Sequence, residues 1–248
     1  MREAAKADFS AYLPQARTAS GDSLYPCAIA EGIQSGNIIT DGDTVLFHHY
    51  CGFAFLSGSP DDAFMDDIAD RLLHPAPERR FVLISDDPAI CSRLSALDGL
   101  TRSDRIYYRA VQAPPEFALP DGMALCRITP ELLPLIRGRI VPAWSWESPE
   151  QFFAHGFGYC VMHKNTAAAA AFTAAATADA VDIGVETAEN YRRQGLAKIA
   201  AAAVMREAQQ RGKAAVWAHH AANTGSMKTA QALGFSQVKI CAAFSAAD

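Results

Sequence analysis

Mixed α and β structure in two consecutive parts is what this sequence predicts, and three observations carry the prediction. The chain has 248 residues, enough for one large domain or two modest ones. Half of the residues are hydrophobic (50%) and a fifth are charged (20%), which excludes a disordered tail, a collagen-like fibre and a charged coiled coil. Near the middle, Ala113-Pro114-Pro115-Glu116 is followed by Pro120-Asp121-Gly122. Proline lacks a backbone donor and restricts its predecessor, and Asp-Gly favours a turn, so a boundary belongs there. Residues 1–118 are then a smaller α/β domain and residues 119–248 a second domain.

In the first part, Thr44-Val45-Leu46-Phe47-His48-His49-Tyr50, Phe81-Val82-Leu83-Ile84 and Arg105-Ile106-Tyr107-Tyr108 are rich in β-branched and aromatic residues and predict strands. Between the first two, Asp61-Asp62 precedes Phe64, Met65, Ile68, Leu72 and Leu73, which share one face at helical spacing with acids at the positive end of the helix. The glycines of this part sit in scattered turns with no phosphate-binding spacing, so its sequence names no chemistry.

The second part opens with the alternating strand Ala124-Leu125-Cys126-Arg127-Ile128. Thr129-Pro130-Glu131 and Ser148-Pro149-Glu150 each supply an N-cap and a proline at the first helical position, predicting two helices. Gly158-Tyr159-Cys160-Val161-Met162 reads as a strand, Lys164-Asn165 as a turn, and Val181 to Thr187 as a strand that alternates apolar and polar residues. The alanine-rich run Ala167 to Ala176 favours helix by propensity, but its hairpin spacing between a turn and an alternating strand predicts a strand. Its small side chains predict something packed closely over it.

The net charge of −5 provides no global field for phosphate backbones or anionic lipid, so nucleic acid is not the expected partner. No apolar segment has the length or composition of a membrane span, and the first residues lack the core of a secretory signal, so a cytoplasmic location is expected. Six cysteines lie tens of residues apart with no C-x-x-C pair, which suggests reduced, mostly buried thiols rather than a metal site or a disulfide scaffold.

The most specific signal is Tyr191-Arg192-Arg193-Gln194-Gly195-Leu196-Ala197, which follows the alternating strand and runs into a helix whose apolar face is Leu196, Ile199, Ala200, Ala203 and Val204. The first amides of a helix have no internal acceptors and carry the positive end of its dipole. A glycine that lets backbone approach closely makes such a turn a pyrophosphate cradle, and Arg192 and Arg193 add charge beside it. An ordinary βα turn with solvated arginines is the competing reading of this pattern alone. Ala214-Ala215-Val216-Trp217-Ala218-His219 is then a second strand, and Asn223-Thr224-Gly225-Ser226 opens a short helix ending at Leu233-Gly234-Phe235.

With R-x-x-G-x-A after a strand, then N-x-x-S, then L-G-F, the chain resembles the GCN5-related N-acetyltransferase (GNAT) superfamily over roughly residues 122–244, in a bacterial branch with an extra N-terminal domain. The resemblance implies an α+β fold with a mixed, mostly antiparallel sheet flanked by helices. It implies acetyl-CoA as cosubstrate, its pantetheine along Val185, Glu186 and Thr187 and its pyrophosphate at Arg192, Arg193, Gln194, Gly195, Leu196 and Ala197, with Asn223 and Ser226 on the other side. Asn223 serves equally well as a plain helix cap. The reaction implied is direct attack of a primary amine of a small molecule or peptide on the thioester in a ternary complex, in a monomer or homodimer.

The candidate bases are Asp182 and Glu186, on one face of the strand if it is regular, and His220, since histidine is the usual side chain for proton transfer near neutral pH. Adjacent strand residues face opposite ways, so only one of His219 and His220 is expected in the cleft. Many relatives carry a tyrosine where this chain has Ala230, leaving Tyr191, Ser226 or water toward the leaving sulfur. That departure sets out the alternative, a catalytically silent acyl-CoA-binding or regulatory module. Trp144 and Trp146 are either an amine pocket or core, and Arg137 and Arg139 are read as solvated.

Overall fold

The computed structural model describes residues 1–247, and the chain forms two compact units, residues 1–106 together with the chain from Lys239 onward, and Tyr107–Val238. In the first unit, strands β1 (Arg2–Glu3), β2 (Gly36–Asp41), β3 (Thr44–His49) and β4 (Phe53–Ser57) are antiparallel neighbours, and β5 (Val82–Ser85) runs parallel to β4. Helices α1 (Leu13–Arg17), α2 (Leu24–Ala30), α3 (Asp62–Leu73) and α4 (Pro88–Ser95) accompany them. The acids that predict α3 cap it directly, since the Asp61 side chain accepts from the Phe64 amide. Phe64, Met65, Ile68 and Leu72 then pack with Leu46, Leu56, Leu83 and Phe244 in one apolar core. The Arg105 and Arg80 guanidinium groups both lie over the Phe53 ring, 4.5 and 4.7 Å from its centroid.

The division between the units falls within β6 (Leu100–Ala110) and within the last strand, Phe235–Ala246. In the second unit, β7 (Met123–Arg127), β8 (Gly158–His163), β9 (Thr166–Ala176) and β10 (Ala180–Thr187) form an antiparallel series, and β11 (Ala214–His220) joins β10 in parallel. Helix α5 (Pro149–His155) starts as its sequence predicts, with Ser148 Oγ accepting from the Gln151 amide. The helix expected at Thr129-Pro130-Glu131 does not form. One turn closes on the Thr129 carbonyl, a 3₁₀ turn follows at Leu133–Leu135, and the chain leaves helical geometry at Ile136. Pro134 lacks the amide that a continuing helix needs, and Gly138 at φ +140° is far from helical.

The alanine run is a strand, β9, and nearly every residue in it is buried. Helix α6 (Leu196–Gln210) packs over β8, β9 and β10 and brings the buried Ala200 and Ala203 to the contact, on the same face as Glu207. Alanine facing alanine lets the helix and the sheet approach closely, which decides strand over helix against local propensity. β9 also bulges twice: Ala168 is the extra residue opposite β8 and Ala174 the extra residue opposite β10. Helix α6 is tied to the sheet by Glu207, whose carboxylate accepts from Arg127, Tyr159 and Arg211. Among the described residues no helix is long and apolar enough to cross a membrane.

All six cysteines are free thiols, and Cys27, Cys51, Cys160 and Cys241 are buried. Burial pushes the Cys160 thiol up to about 11 and that of Cys241 to about 12, so neither is a nucleophile at neutral pH.

Candidate functional site

Parallel pairing between β10 and β11 runs through Ala180–Ala214, Val181–Ala215 and Asp182–Val216 and then stops. Beyond it β10 continues to Thr187 with its β9 edge paired and its other edge open. An open edge offers backbone donors and acceptors to any ligand that carries amides. The strand leads through a 3₁₀ turn at Glu189–Tyr191 into the arginine turn and α6, while α7 (Thr224–Ala232) follows β11.

The turn itself is unusual backbone. Arg193 lies at φ +64° and Gly195, the N-cap of α6, at φ +79°. Left-handed geometry is costly for a residue with a Cβ, so Arg193 holds a strained position. No side chain caps α6, which leaves its first amides available to a ligand. A Cβ on Gly195 would meet only the Lys198 side chain, at 3.2 Å from Cε.

These elements enclose a cavity of about 660 Å³ lined by Val185, Glu186, Thr187, Tyr191, Arg192, Arg193, Gly195, Leu196 and Ala197 on one side and by Trp217, Asn223, Gly225, Ser226 and Thr229 on the other. Of the residues the sequence places at a cofactor, Gln194 alone is outside the lining; its amide group donates to the Asn190 carbonyl. Four cations line the same space, Arg192, Arg193, Lys198 and Lys228, and none forms an ion pair among the described residues. Asn223 both caps α7, its Oδ1 accepting from the Ser226 amide at 3.0 Å, and lines the cavity.

The three candidate bases are placed very differently. Glu186 lines the cavity, but its Oε2 accepts from the Arg139 and Ile140 amides at 2.9 and 2.8 Å, so its carboxylate also fastens the 137–141 segment. The fit there is tight, since a Cβ on Gly138 would stand 2.5 Å from Glu186 Cγ. Asp182 is buried at the last pair with β11, outside the lining. His220 is exposed and also outside the lining, with Nδ1 accepting from the Ala222 amide. His219 faces the other way: buried, it stacks on Tyr108 at 5.3 Å and hydrogen-bonds the tyrosine hydroxyl through Nε2.

Trp146 is core, its indole donating to the Thr173 carbonyl at 2.7 Å, and Trp144 is half-buried. Sequence reasoning offered Tyr191 only as a donor toward the leaving sulfur, and missed Lys198, Trp217, Gly225, Lys228, Thr229 and Ala232 as lining residues. A signal for part of that set was present: 225, 228, 229 and 232 recur at helical spacing and define one face of α7.

A family model described as GNAT acetyltransferase matches residues 20–244. Among solved structures, the chain is similar to a GCN5-related N-acetyltransferase-like protein from Streptococcus suis, at 21% identity over 98% of this chain and 100% of that one, with a TM-score of 0.74. It is also similar to a GCN5-related N-acetyltransferase from Kribbella flavida, at 18% identity over 89% and 93% of the two chains with a TM-score of 0.63. A third, from Sphaerobacter thermophilus, is 15% identical over 98% and 93% with a TM-score of 0.61. At these identities the likeness is one of fold. None of the curated proteins matches the sequence.

Proposed function

The chain belongs to the GNAT acetyltransferase family, and from that premise we propose that it transfers the acetyl group of acetyl-CoA to a primary amine of a small molecule or peptide, by direct attack in a ternary complex. The observation that carries this reading is the convergence of an open β10 edge, an uncapped α6 N-terminus with two left-handed residues, and four unpaired cations on one cavity. A pantetheine arm carries amides that pair with Val185 to Thr187 as another strand would. A pyrophosphate is satisfied by the amides of Gly195, Leu196 and Ala197, and Arg192, Arg193, Lys198 and Lys228 offset its charge.

The chemistry asks for an unprotonated amine beside the thioester. On this reading Glu186 takes the ammonium proton, directly or through water, because it is the candidate base in the cavity wall; Asp182 and His220 are the alternatives. Holding amine and thioester together supplies much of the rate in any case. Titration calorimetry of the purified protein with acetyl-CoA tests the proposal, and no binding at millimolar ligand would overturn it. Binding without CoA release across a broad panel of amines would make the protein a silent acyl-CoA-binding module instead.

A further inference from the structure

Resting on the acetyl-CoA reading above, we infer that Ser226 donates the hydrogen bond that stabilises the sulfur departing from acetyl-CoA, and that Trp217 is the positioning residue that aims it. The Trp217 ring is buried, 3% exposed, and its indole N–H donates to Ser226 Oγ at 2.9 Å. An indole nitrogen only donates, whereas a hydroxyl both donates and accepts. The Trp217 bond therefore occupies an acceptor position of Oγ and leaves its hydrogen to point elsewhere. The Ser226 backbone is fixed as well, its amide held by Asn223 Oδ1. No other bond of the hydroxyl exists among the described residues, and Ser226 stands in the cavity wall.

The other hydroxyls of that wall are committed or far from the point where the strands part. Thr229 Oγ1 donates to the Gly225 carbonyl at 2.9 Å. Tyr191 shares a 3.0 Å hydrogen bond with His163 of β8, which lies beyond β9 on the side of β10 away from β11. Thr187 ends β10, at the open end of the strand. Trp217, by contrast, directly follows Val216, the last residue of β11 paired with β10, so the Ser226 hydroxyl is held where the opening closes. An arm that starts at the α6 amides and follows the β10 edge inward brings its terminal sulfur there.

In the reaction the amine nitrogen bonds to the carbonyl carbon, the tetrahedral adduct collapses, and the carbon–sulfur bond breaks with its electron pair on sulfur. The proton shed by nitrogen goes to a base or to water. A serine hydroxyl is a far weaker acid than a thiol, so it keeps its proton and stabilises the thiolate by a hydrogen bond. Bonds of this kind, with one charged partner, are among the stronger ones in proteins.

Binding of coenzyme A and of desulfo-coenzyme A, measured near pH 7 and at roughly pH 9.5, about one unit above a free thiol's titration, isolates the contact with sulfur. In the wild type the preference for coenzyme A over its desulfo analogue should rise roughly tenfold or more at the higher pH. In Ser226→Ala that rise should vanish, and kcat should fall roughly 10- to 100-fold while acetyl-CoA affinity changes little. Ser226→Thr, which keeps a hydroxyl, should restore much of both, and Trp217→Phe should lie between. A pH-dependent preference in Ser226→Ala equal to that of the wild type would overturn the inference while leaving the cofactor reading intact. Failure of the wild type to bind either ligand would overturn both.

Discussion

Gly195→Asp separates a cradle for pyrophosphate from an ordinary turn, because the structure lets its effects on folding and on binding be worked out independently. At φ +79° a residue with a Cβ is strained, by roughly 1–2 kcal/mol. The added Cβ finds room, meeting only the flexible end of Lys198 at 3.2 Å. A carboxylate at the start of α6 accepts from uncapped amides and gains from the helix dipole, recovering about 1 kcal/mol. The variant should therefore fold, with stability within about 1 kcal/mol of wild type by urea titration. Binding should suffer far more, since the same amides are then occupied and a like charge faces the phosphates. Losing one charge-assisted hydrogen bond costs roughly 1.5–3 kcal/mol, or about 10- to 150-fold in the calorimetric Kd for acetyl-CoA. Gly195→Ala carries the strain without the charge and should lose less. An unchanged Kd in a folded Gly195→Asp protein would refute the placement of the phosphates at this turn.

Glu207 bears on stability alone. Burial acts to raise its carboxyl, but hydrogen bonds from Arg127, Tyr159 and Arg211 outweigh burial and hold it below its ordinary value. A depressed carboxyl lends stability that is present above the unfolded value of about 4.3 and is lost as pH falls through the folded one. Glu207→Gln should thus cost about 1–3 kcal/mol at pH 7 in urea unfolding, and its gap from wild type should narrow below about pH 4. Ala171→Leu, in β9 on the face that α6 covers, should cost about 1–3 kcal/mol by overpacking, while an exposed control such as Ala143→Leu should be near neutral. For the base, Glu186→Gln should lower kcat about 10²-fold near neutrality, with partial recovery at high pH where free amine is abundant. A pH–rate profile unchanged in Glu186→Gln, Asp182→Asn and His220→Gln alike would remove all three from proton transfer.

Where local rules and packing agree, the fold is legible in the sequence. Asp61, Ser148 and Asn223 each accept the amide expected of an N-cap, and the apolar positions 64, 65, 68 and 72 of α3 are buried together. Agreement fails where one residue overrides its neighbours. Thr129-Pro130-Glu131 carries every sign of a helix start, but Pro134 cancels the helix one turn later. In β9 the override comes from outside the segment: eight alanines, the best helix formers, are held extended by β8 and β10 on either edge and by α6 above. Hairpin spacing reveals that strand, but both bulged residues, Ala168 and Ala174, are alanines next to further alanines and leave no mark in the sequence.

The site divides along a similar line. What depends on contiguous sequence, the strand, the arginine turn and the start of α6, can be read directly, and the structure puts Val185 to Thr187 and Arg192 to Ala197, except Gln194, around one cavity. What depends on contacts across the fold cannot. Regular alternation places Asp182 and Glu186 on one face of β10, yet it does not say that Asp182 lies within the paired part of the strand, or that Arg139 and Ile140 close over Glu186. A carboxylate that must both accept a proton and hold a loop has two jobs that one substitution disturbs together. Gly138→Ala keeps the carboxyl group and displaces it instead, because the added methyl would stand 2.5 Å from Glu186 Cγ, 2.6 Å from Cδ and 2.9 Å from Oε2. If the 137–141 segment orders the acceptor side, Gly138→Ala should raise the acceptor KM with little change in the pH profile, whereas loss of the base alters the profile itself. The two variants together therefore divide Glu186's work between proton transfer and architecture, and a shifted pH profile in Gly138→Ala would show that the two cannot be separated.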